Sequence, residues 1–366
     1  MPDFERMKLL EHMSVHDHEQ VIALQNRACG LRGFIAIHDT TLGPALGGVR
    51  IWRYGSEEEA LADALRLSRA MTYKASLAEL PAGGGKAVIL DYDGLDRLAA
   101  FEALGRVVES LRGRFFTGVD VGTTADDIAA IGRATRYVAC ESSPALGDIN
   151  AMTAIGVWHG MRACLEFAGI APRGATVAIQ GVGSVGMNLA RILKRVGMNL
   201  VIADIKPQCV QEAARELGAR VAPPEEITAA PCDVFAPCAL GGVINRETVT
   251  RIAAPIVCGC ANNALASAEE GDALARRGIL YAPDYLVNAG GLIRGAEFYL
   301  LNRADSTPSL ARIYDRMKRV LELARDRGSS TARIADELAE SRLTKAKRFA
   351  DLHWGAAAPA VPKCAS

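Results

Sequence analysis

Neither sign of charge is in excess in this chain of 366 residues, where 42 Lys and Arg face 42 Asp and Glu. That balance excludes the basic field on which nucleic-acid binding depends, so no nucleic-acid partner is expected. Long apolar runs are also lacking. None approaches the roughly 18 uncharged residues that a membrane helix requires, so no membrane partner is expected either. The first six residues, Met1 to Arg6, are too charged for a signal peptide, which points to a cytoplasmic protein. The nine cysteines are an odd number without CxxC spacing, and Cys258-Gly259-Cys260 holds the only close pair. They read as small buried apolar residues of a cytosolic chain. His16-Asp17-His18-Glu19 invites a metal reading, but no further ligand cluster accompanies it. It is read as a solvated helix start, and no metal is expected.

What is present is enough apolar content, 50% of residues, for two cores. The first region to stand out is Met71-Thr72-Tyr73-Lys74 with Pro81-Ala82-Gly83-Gly84-Gly85-Lys86. Three consecutive glycines cost backbone entropy, which a chain accepts where it turns sharply or approaches a ligand. Lys86 leads into the apolar run Ala87 to Leu90, a buried strand. Lys74 ends a helical pattern opening at Ser56, with Glu59 completing a capping box. Lys74 alone reads as a surface lysine, whereas the glycine run favours a functional Lys86. A helix is predicted over Leu95 to Leu111, with Leu98, Phe101, Leu104, Val107 and Val108 on its apolar face. Phe115-Phe116-Thr117 is a short strand, and Thr123-Thr124 caps the next helix. Asp120 lies between them, flanked by Gly118, Val119, Val121 and Gly122. It fits a turn-former and a catalytic acid/base equally.

Residues 142–150 read as a linker, and Thr153 to Phe167 as a helix. From Ala175 the pattern becomes strict βα repetition. The strand Thr176 to Gln180 runs into Gly181-Val182-Gly183-Ser184-Val185-Gly186, which opens a helix over Met187 to Val196. A second strand, Leu200 to Ala203, ends in Asp204, 18 residues beyond Gly186. Strand, glycine motif, helix and acid together form a dinucleotide-binding fingerprint. The first glycine permits the turn, the second admits the pyrophosphate and the third lets helix and strand pack closely. An acid at position 204 binds ribose hydroxyls and repels a 2′-phosphate, so NAD is expected over NADP. Three further strands follow at Asp233 to Pro237, Ile256 to Gly259 and Ile279 to Pro283. Amphipathic helices begin at Leu310, and an Ala/Pro-rich tail, read as loose, begins at Ala356.

Pro44 to Gly48, Met71 to Lys74, Gly83 to Lys86, Thr117 to Thr123, the GVGSVG loop, Phe235 to Ala239 and Tyr281 to Gly291 occur in one order along the chain. Together they resemble the Glu/Leu/Phe/Val amino-acid dehydrogenases, in the shorter branch of leucine, valine, phenylalanine and tryptophan enzymes. The resemblance implies an α/β fold with two domains and C-terminal helices that return to the first. The expected boundaries are 1–148 for a substrate-binding and catalytic domain, 149–330 for a Rossmann NAD-binding domain and 331–366 for C-terminal helices and tail. It also implies reversible NAD-dependent oxidative deamination of an apolar L-amino acid, leucine favoured, to the 2-oxo acid and ammonia by a homo-oligomer.

Roles follow from the same resemblance. Lys74 would hold the substrate carboxylate, and Lys86 would activate water, its pKa lowered by burial and a cation such as Lys74. Asp120 would shuttle protons. Leu46, Gly47, Gly118, Asn288, Leu292 and Gly295 would bind substrate, with Gly118 and Gly295 leaving room for an aromatic side chain. Thr153, Gly181, Gly183, Ser184, Val185, Gly186, Asp204, Cys238, Ala239 and Asn263 would hold the cofactor. For Thr153, Asn263 and Asn288 a structural loop role is the competing reading. Gly147 to Met152 departs from the family's glycine-rich, Ser/Pro-containing segment. Two other classes compete: a 2-hydroxy-acid dehydrogenase, which would need a histidine at a Rossmann strand tip, and an inactive NAD-binding sensor.

Overall fold

A computed structural model of the protein describes residues 8–139, 146–239 and 241–352. The first six residues, residues 142–145 of the expected linker and the tail from Ala356 fall outside these. The chain divides into two compact units, the first of residues 1–147, 295–304 and 340–366, the second of 148–294 and 305–339.

The first unit begins with α1 (Leu9–Val15), β1 (Gln20–Asn26), β2 (Leu31–Asp39), β3 (Ala45–Leu46), β4 (Val49–Trp52) and α2 (Glu57–Leu77). It continues with β5 (Gly83–Leu90), α3 (Arg97–Ser110), β6 (Phe115–Phe116) and α4 (Ala125–Ala134). The sheet order is β1-β2-β5-β3-β6, with β4 also on β5. β2 is antiparallel to β1 and β5, whereas β3 and β4 run parallel to β5. β3 pairs with Gly83 and Gly84, and β4 takes over at Ala87. The pairing is interrupted opposite Gly85 and Lys86, where Gly47 and Gly48 pass by. Helix α2 lays Ala60, Leu61, Ala64 and Leu65 on Phe34, Ala36 and Val88 of the sheet. Ser56 caps it by accepting from the Glu59 amide at 3.2 Å, but the Glu59 carboxylate reaches the amide of Gly55. Only half of the expected capping box forms.

The glycine run is part of strand β5 rather than a loop. A β-carbon on Gly84 would lie 2.1 Å from the Thr72 amide nitrogen, and one on Gly85 would lie 2.7 Å from the Phe115 ring. The glycines therefore bring the backbone of α2 and the Phe115 ring onto the sheet immediately before Lys86. Two other expectations are corrected. Leu98 is 47% exposed, so the buried face of α3 runs through Phe101, Leu104 and Val108. The His16 to Glu19 segment is no helix start, because α1 ends at Val15 and β1 begins at Gln20. His18 is buried there with its ring edge-on to His38, centroids 4.7 Å apart.

The second unit runs through α5 (Ile149–Phe167), β7 (Thr176–Gln180), α6 (Ser184–Val196), β8 (Asn199–Ala203), α7 (Pro207–Leu217), β9 (Arg220–Val221) and β10 (Val234–Pro237). It then forms α8 (Thr248–Arg251), β11 (Ile256–Val257), α9 (Ala268–Arg276), β12 (Leu280–Tyr281) and α10 (Asp284–Val287). The remaining helices are α11 (Gly290–Leu301), α12 (Thr307–Arg327) and α13 (Thr331–Leu352), of which α11 and α13 cross into segments of the first unit. The sheet is parallel throughout in the order β12-β11-β10-β7-β8-β9. This is the doubly wound arrangement, and its order reverses between β7 and β10. Helix α5 begins four residues before Thr153. Asp148 caps it by accepting from the amides of Asn150 and Ala151 at 2.8 and 3.1 Å. The end of the expected linker is thus the first turn of a helix.

Burial pushes the pKa of His38 down to about 4. Its Nε2 donates to the carbonyl of His16 at 2.9 Å, and its Nδ1 is 2.9 Å from the Thr72 hydroxyl. Because the folded value lies below that of the unfolded chain, the unfolded state binds more protons between pH 6.5 and 4. This single group removes on the order of 3 kcal/mol as pH falls through that window. The melting temperature of the first unit should therefore fall as pH drops from 6.5 to 5, and His38→Gln should flatten the slope. An unchanged slope in differential scanning calorimetry would contradict the buried neutral imidazole.

Candidate active site

Lys86 occupies β5 at the interruption between β3 and β4, and its side chain is only 5% exposed. Its Nζ lies 2.9 Å from Oδ2 of Asp120. The same carboxylate oxygen accepts from Nε of Arg50, on β4, at 2.9 Å. Nη1 of Arg50 donates to Oδ2 of Asp63, on α2, at 3.0 Å. That oxygen also accepts from the Tyr54 hydroxyl at 2.8 Å, and Arg66 reaches Oδ1 of Asp63 at 2.6 Å.

The loop carrying Asp120 is fixed by its backbone. The Gly118 carbonyl accepts from Val49 N at 2.8 Å and the Val121 carbonyl from Ile51 N at 3.1 Å. The Thr123 hydroxyl donates to the Asp120 carbonyl at 2.6 Å and accepts from the Asp120 amide at 3.0 Å. A β-carbon on Gly48 would come within 2.9 Å of the Asp120 β-carbon, so Gly48 keeps the carboxylate's seat open. The flanking valines do not enclose Asp120: Val119 and Val121 are 38% and 43% exposed, and the carboxylate faces Lys86 and Arg50.

Burial, together with the Arg50 guanidinium, pushes the Lys86 amine below the ordinary lysine range, against the pull of Asp120. For Asp120, burial acts upward, but Lys86 and Arg50 outweigh it and hold the carboxyl below its usual value. The result is an ionised carboxylate able to accept a proton beside an amine that gives its proton up more readily than most.

In the second unit the glycine motif joins β7 to α6. Gly181 has φ +97°, a conformation that L side chains rarely adopt, and a β-carbon there would meet Ala239 at 2.9 Å. At Gly183 an added β-carbon would meet nothing within 4 Å. At Gly186 it would lie 2.1 Å from the Gly181 carbonyl. Turn, open approach and close packing thus fall on the three glycines in that order. Gly183 caps α6 without a side-chain partner, so the first-turn amides lie at the strand crossover. Asp204 accepts from the amides of Val182 and Lys206, each at 2.9 Å, which fixes its carboxylate beside the loop.

Sequence profiles match both halves of the chain. That of the Glu/Leu/Phe/Val dehydrogenase dimerisation domain covers residues 16–137, and that of glutamate/leucine/phenylalanine/valine dehydrogenase covers 203–346. Leucine dehydrogenase of Bacillus subtilis (strain 168) is 44% identical over 93% of this chain and 96% of its own. Phenylalanine dehydrogenase of Bacillus thermotolerans is 42% identical over 98% and 96%. The crystal structure of L-tryptophan dehydrogenase from Nostoc punctiforme superposes with a TM-score of 0.80 at 42% identity, covering 93% of this chain and all of that one. The chain belongs to the Glu/Leu/Phe/Val dehydrogenase family. A profile of the NAD-binding domain of D-isomer specific 2-hydroxyacid dehydrogenases also matches residues 143–240, but its reach stops within the Rossmann half.

This Glu/Leu/Phe/Val dehydrogenase is an NAD-dependent enzyme. Its open Gly183, uncapped α6 amides and fixed Asp204 suit a dinucleotide with a free ribose 2′-hydroxyl. Ser184 and Val185 form the first turn of α6, and Cys238 and Ala239 follow β10 at the reversal of strand order. Asn263 has φ +52°, so it also shapes its turn. Asn288 is buried and donates to the Cys260 carbonyl at 3.1 Å and to Oδ1 of Asn262 at 2.9 Å. Its own Oδ1 has no hydrogen-bond partner among the described residues. The Thr153 hydroxyl accepts from Gly291 N at 3.1 Å, joining the starts of α5 and α11.

In the first unit, Leu46 and Gly47 lie beside Gly84 and Gly85, Gly118 opens the Asp120 loop, and Lys74 occupies the last turn of α2. Leu292 and Gly295 are half-buried on α11. Gly118 does not leave the room expected of it, since its β-carbon would lie 3.3 Å from that of Ala139. At Gly295 an added β-carbon meets nothing within 4 Å.

Arg50 is a cation that acts on Lys86, one that the sequence had not suggested. Arg50, Asp63 and Tyr54 were missed. Arg50 reads as the outward residue of a short alternating strand, and Asp63 as part of a solvated helix face. The available signal was an arginine one residue beyond a double glycine, between Val49 and Ile51.

A 2′-phosphate would bring at least one further negative charge to Asp204. We expect kcat/KM with NAD to exceed that with NADP at least ~100-fold, the scale of opposed charges at close range. Asp204→Ser should narrow the ratio mainly by improving NADP. Comparable kcat/KM for both cofactors in the wild type would contradict this role of Asp204.

Proposed function

We propose that the enzyme oxidatively deaminates apolar L-amino acids, leucine and other branched chains first, to 2-oxo acids and ammonia, and that it runs in reverse. The observation that carries this reading is the 2.9 Å contact of a buried Lys86 with an ionised Asp120. NAD⁺, when bound in the second unit, supplies the acceptor for the hydride leaving the substrate α-carbon.

The chain's residues do the rest. Lys74 holds the α-carboxylate as a fixed cation. Asp120 takes a proton from the substrate ammonium, which leaves a neutral amine able to release hydride. Lys86 in its neutral form takes a proton from the water that adds to the iminium carbon. Asp120 returns its proton to nitrogen and, as ammonia departs, its freed carboxylate takes the proton of the carbinolamine hydroxyl, so that the C=O bond forms. Water supplies the oxygen of the 2-oxo acid, and the substrate nitrogen leaves, so atoms balance. Leu46, Gly47 and Gly118 of the first unit serve substrate binding, and Asn288, Leu292 and Gly295 are assigned the same task from the sequence. Thr153, Ser184, Val185, Cys238, Ala239 and Asn263 serve the cofactor.

We place the enzyme in the cytoplasm as a homo-oligomer. Among the described residues no helix is long and apolar enough to cross a membrane, and all seven described cysteines are free thiols. The profile matched by residues 16–137 describes a dimerisation domain, which supports self-association. A second reading, preference for aromatic side chains, is favoured by the open space at Gly295.

A panel of L-amino acids assayed for NADH formation tests both. Leucine should give the highest kcat/KM, with phenylalanine or tryptophan detectable. Gly295→Val should lower aromatic kcat/KM ~10-fold or more relative to leucine, because a ring is rejected sterically as well as losing contact. Equal losses on leucine and phenylalanine would remove Gly295 from the side-chain pocket. Absence of NADH with every apolar L-amino acid would overturn the function.

A further inference from the structure

We infer that Arg50 is a positioning residue for the reaction: anchored by Asp63, its guanidinium holds Asp120 against Lys86 and keeps a second cation facing the catalytic amine. The inference rests on the roles proposed above for Lys86 and Asp120. It assigns a task to a residue that touches neither the reacting atoms nor the cofactor motif.

The geometry requires an arginine. Two different nitrogens of one rigid plane reach two carboxylates at once, Nε to Asp120 at 2.9 Å and Nη1 to Asp63 at 3.0 Å. A lysine presents one point charge and cannot span both in fixed directions. The charges alternate along the chain of contacts: Lys86, Asp120, Arg50, Asp63, Arg66. Lys86 is nearly inaccessible and Arg50, Asp120 and Asp63 are 18%, 18% and 15% exposed, while Arg66 meets solvent at 54%. Each inner charge therefore has an opposite charge on both sides, which is what lets so many sit together with little water. Tyr54 adds its hydroxyl to Asp63 and so fixes the anchor of the anchor.

The consequence for chemistry comes through charge as well as position. The groups acting on Lys86 are Asp120 from its loop, Arg50 from β4 and Asp63 from α2. Both carboxylates favour the ammonium form and the guanidinium opposes it. Removing Arg50 takes away an opposing cation and, among the described residues, leaves Lys86 as the ion-pair partner of Asp120, so both changes favour the ammonium. Removing the charge of Asp63 acts in the opposite sense. A residue that merely stabilised the fold would lower activity without moving the pH dependence in either direction.

The test is the pH profile of kcat/KM for L-leucine with saturating NAD, for the wild type, Arg50→Gln, Arg50→Lys and Asp63→Asn. The substrate's own amine titrates identically in all four, so differences between profiles belong to the enzyme. Arg50→Gln should lose kcat ~10-fold or more, as expected for a displaced catalytic group. Its ascending limb should also move to higher pH by roughly 1 unit. Arg50→Lys keeps the charge without the fork, so it should lose kcat while its limb stays near that of the wild type. Asp63→Asn should move the limb to lower pH. NADH binding, read by fluorescence, should stay within about twofold in each variant, since the second unit is untouched.

An Arg50→Gln enzyme whose limb coincides with that of the wild type overturns the inference. If that variant does not fold, Asp63→Asn decides, and an unmoved limb there overturns it equally. A wild type that forms no NADH from any apolar L-amino acid shows instead that the functional reading failed, and the role of Arg50 falls with it.

Discussion

One buried contact organises the candidate site in the first unit of this protein: the amine of Lys86 against the carboxylate of Asp120. Two charges in a site with little water are costly unless each is answered by others, and here the answer extends through Arg50 to Asp63. The backbone around the pair is arranged to allow it. Strand β5 has left β3 and not yet reached β4 at Lys86, where Gly47 and Gly48, without side chains, pass beside it. Gly48 leaves the space in which the Asp120 β-carbon sits, and the Val49 and Ile51 amides pin the loop on either side of it.

The glycine run before Lys86 shows how packing serves the same end. Its glycines admit no side chain because α2, Phe115 and the Asp39 backbone press on them. Their entropic cost is met by a close helix–sheet contact. That contact fixes α2, and α2 carries Asp63 to Arg50 and places Lys74 in its last turn. In the dinucleotide-binding unit glycine has a different task at each position of the motif. The same residue type therefore supports packing in one unit and ligand approach in the other.

The parts of the fold that were legible in the sequence are those governed by local chemistry. The GVGSVG loop, its flanking strand and helix and Asp204 are near neighbours in sequence, and each glycine has the local geometry its position implied. Lys86 and Asp120 were legible as candidates because a glycine-flanked charge at a strand end has few structural reasons to be there. Arg50 was not, because its meaning depends on Asp63 and Asp120, 13 and 70 residues away. The glycine run was read as a turn or a ligand approach for a similar reason: nothing local announces a helix backbone arriving from Thr72. His18, read as solvated, is buried against His38 and the Leu65 carbonyl of α2, 47 residues away, another long-range event.

The central claim is that burial beside Arg50 makes the Lys86 amine an available base. Nitrogen-15 NMR of the lysine side chains, with the Lys86 resonance assigned by its loss in Lys86→Arg, measures this directly. The account predicts a Lys86 titration well below the ordinary lysine value of ~10.4 and below the other lysines of the chain. A Lys86 that titrates with those lysines, or above them, would contradict it.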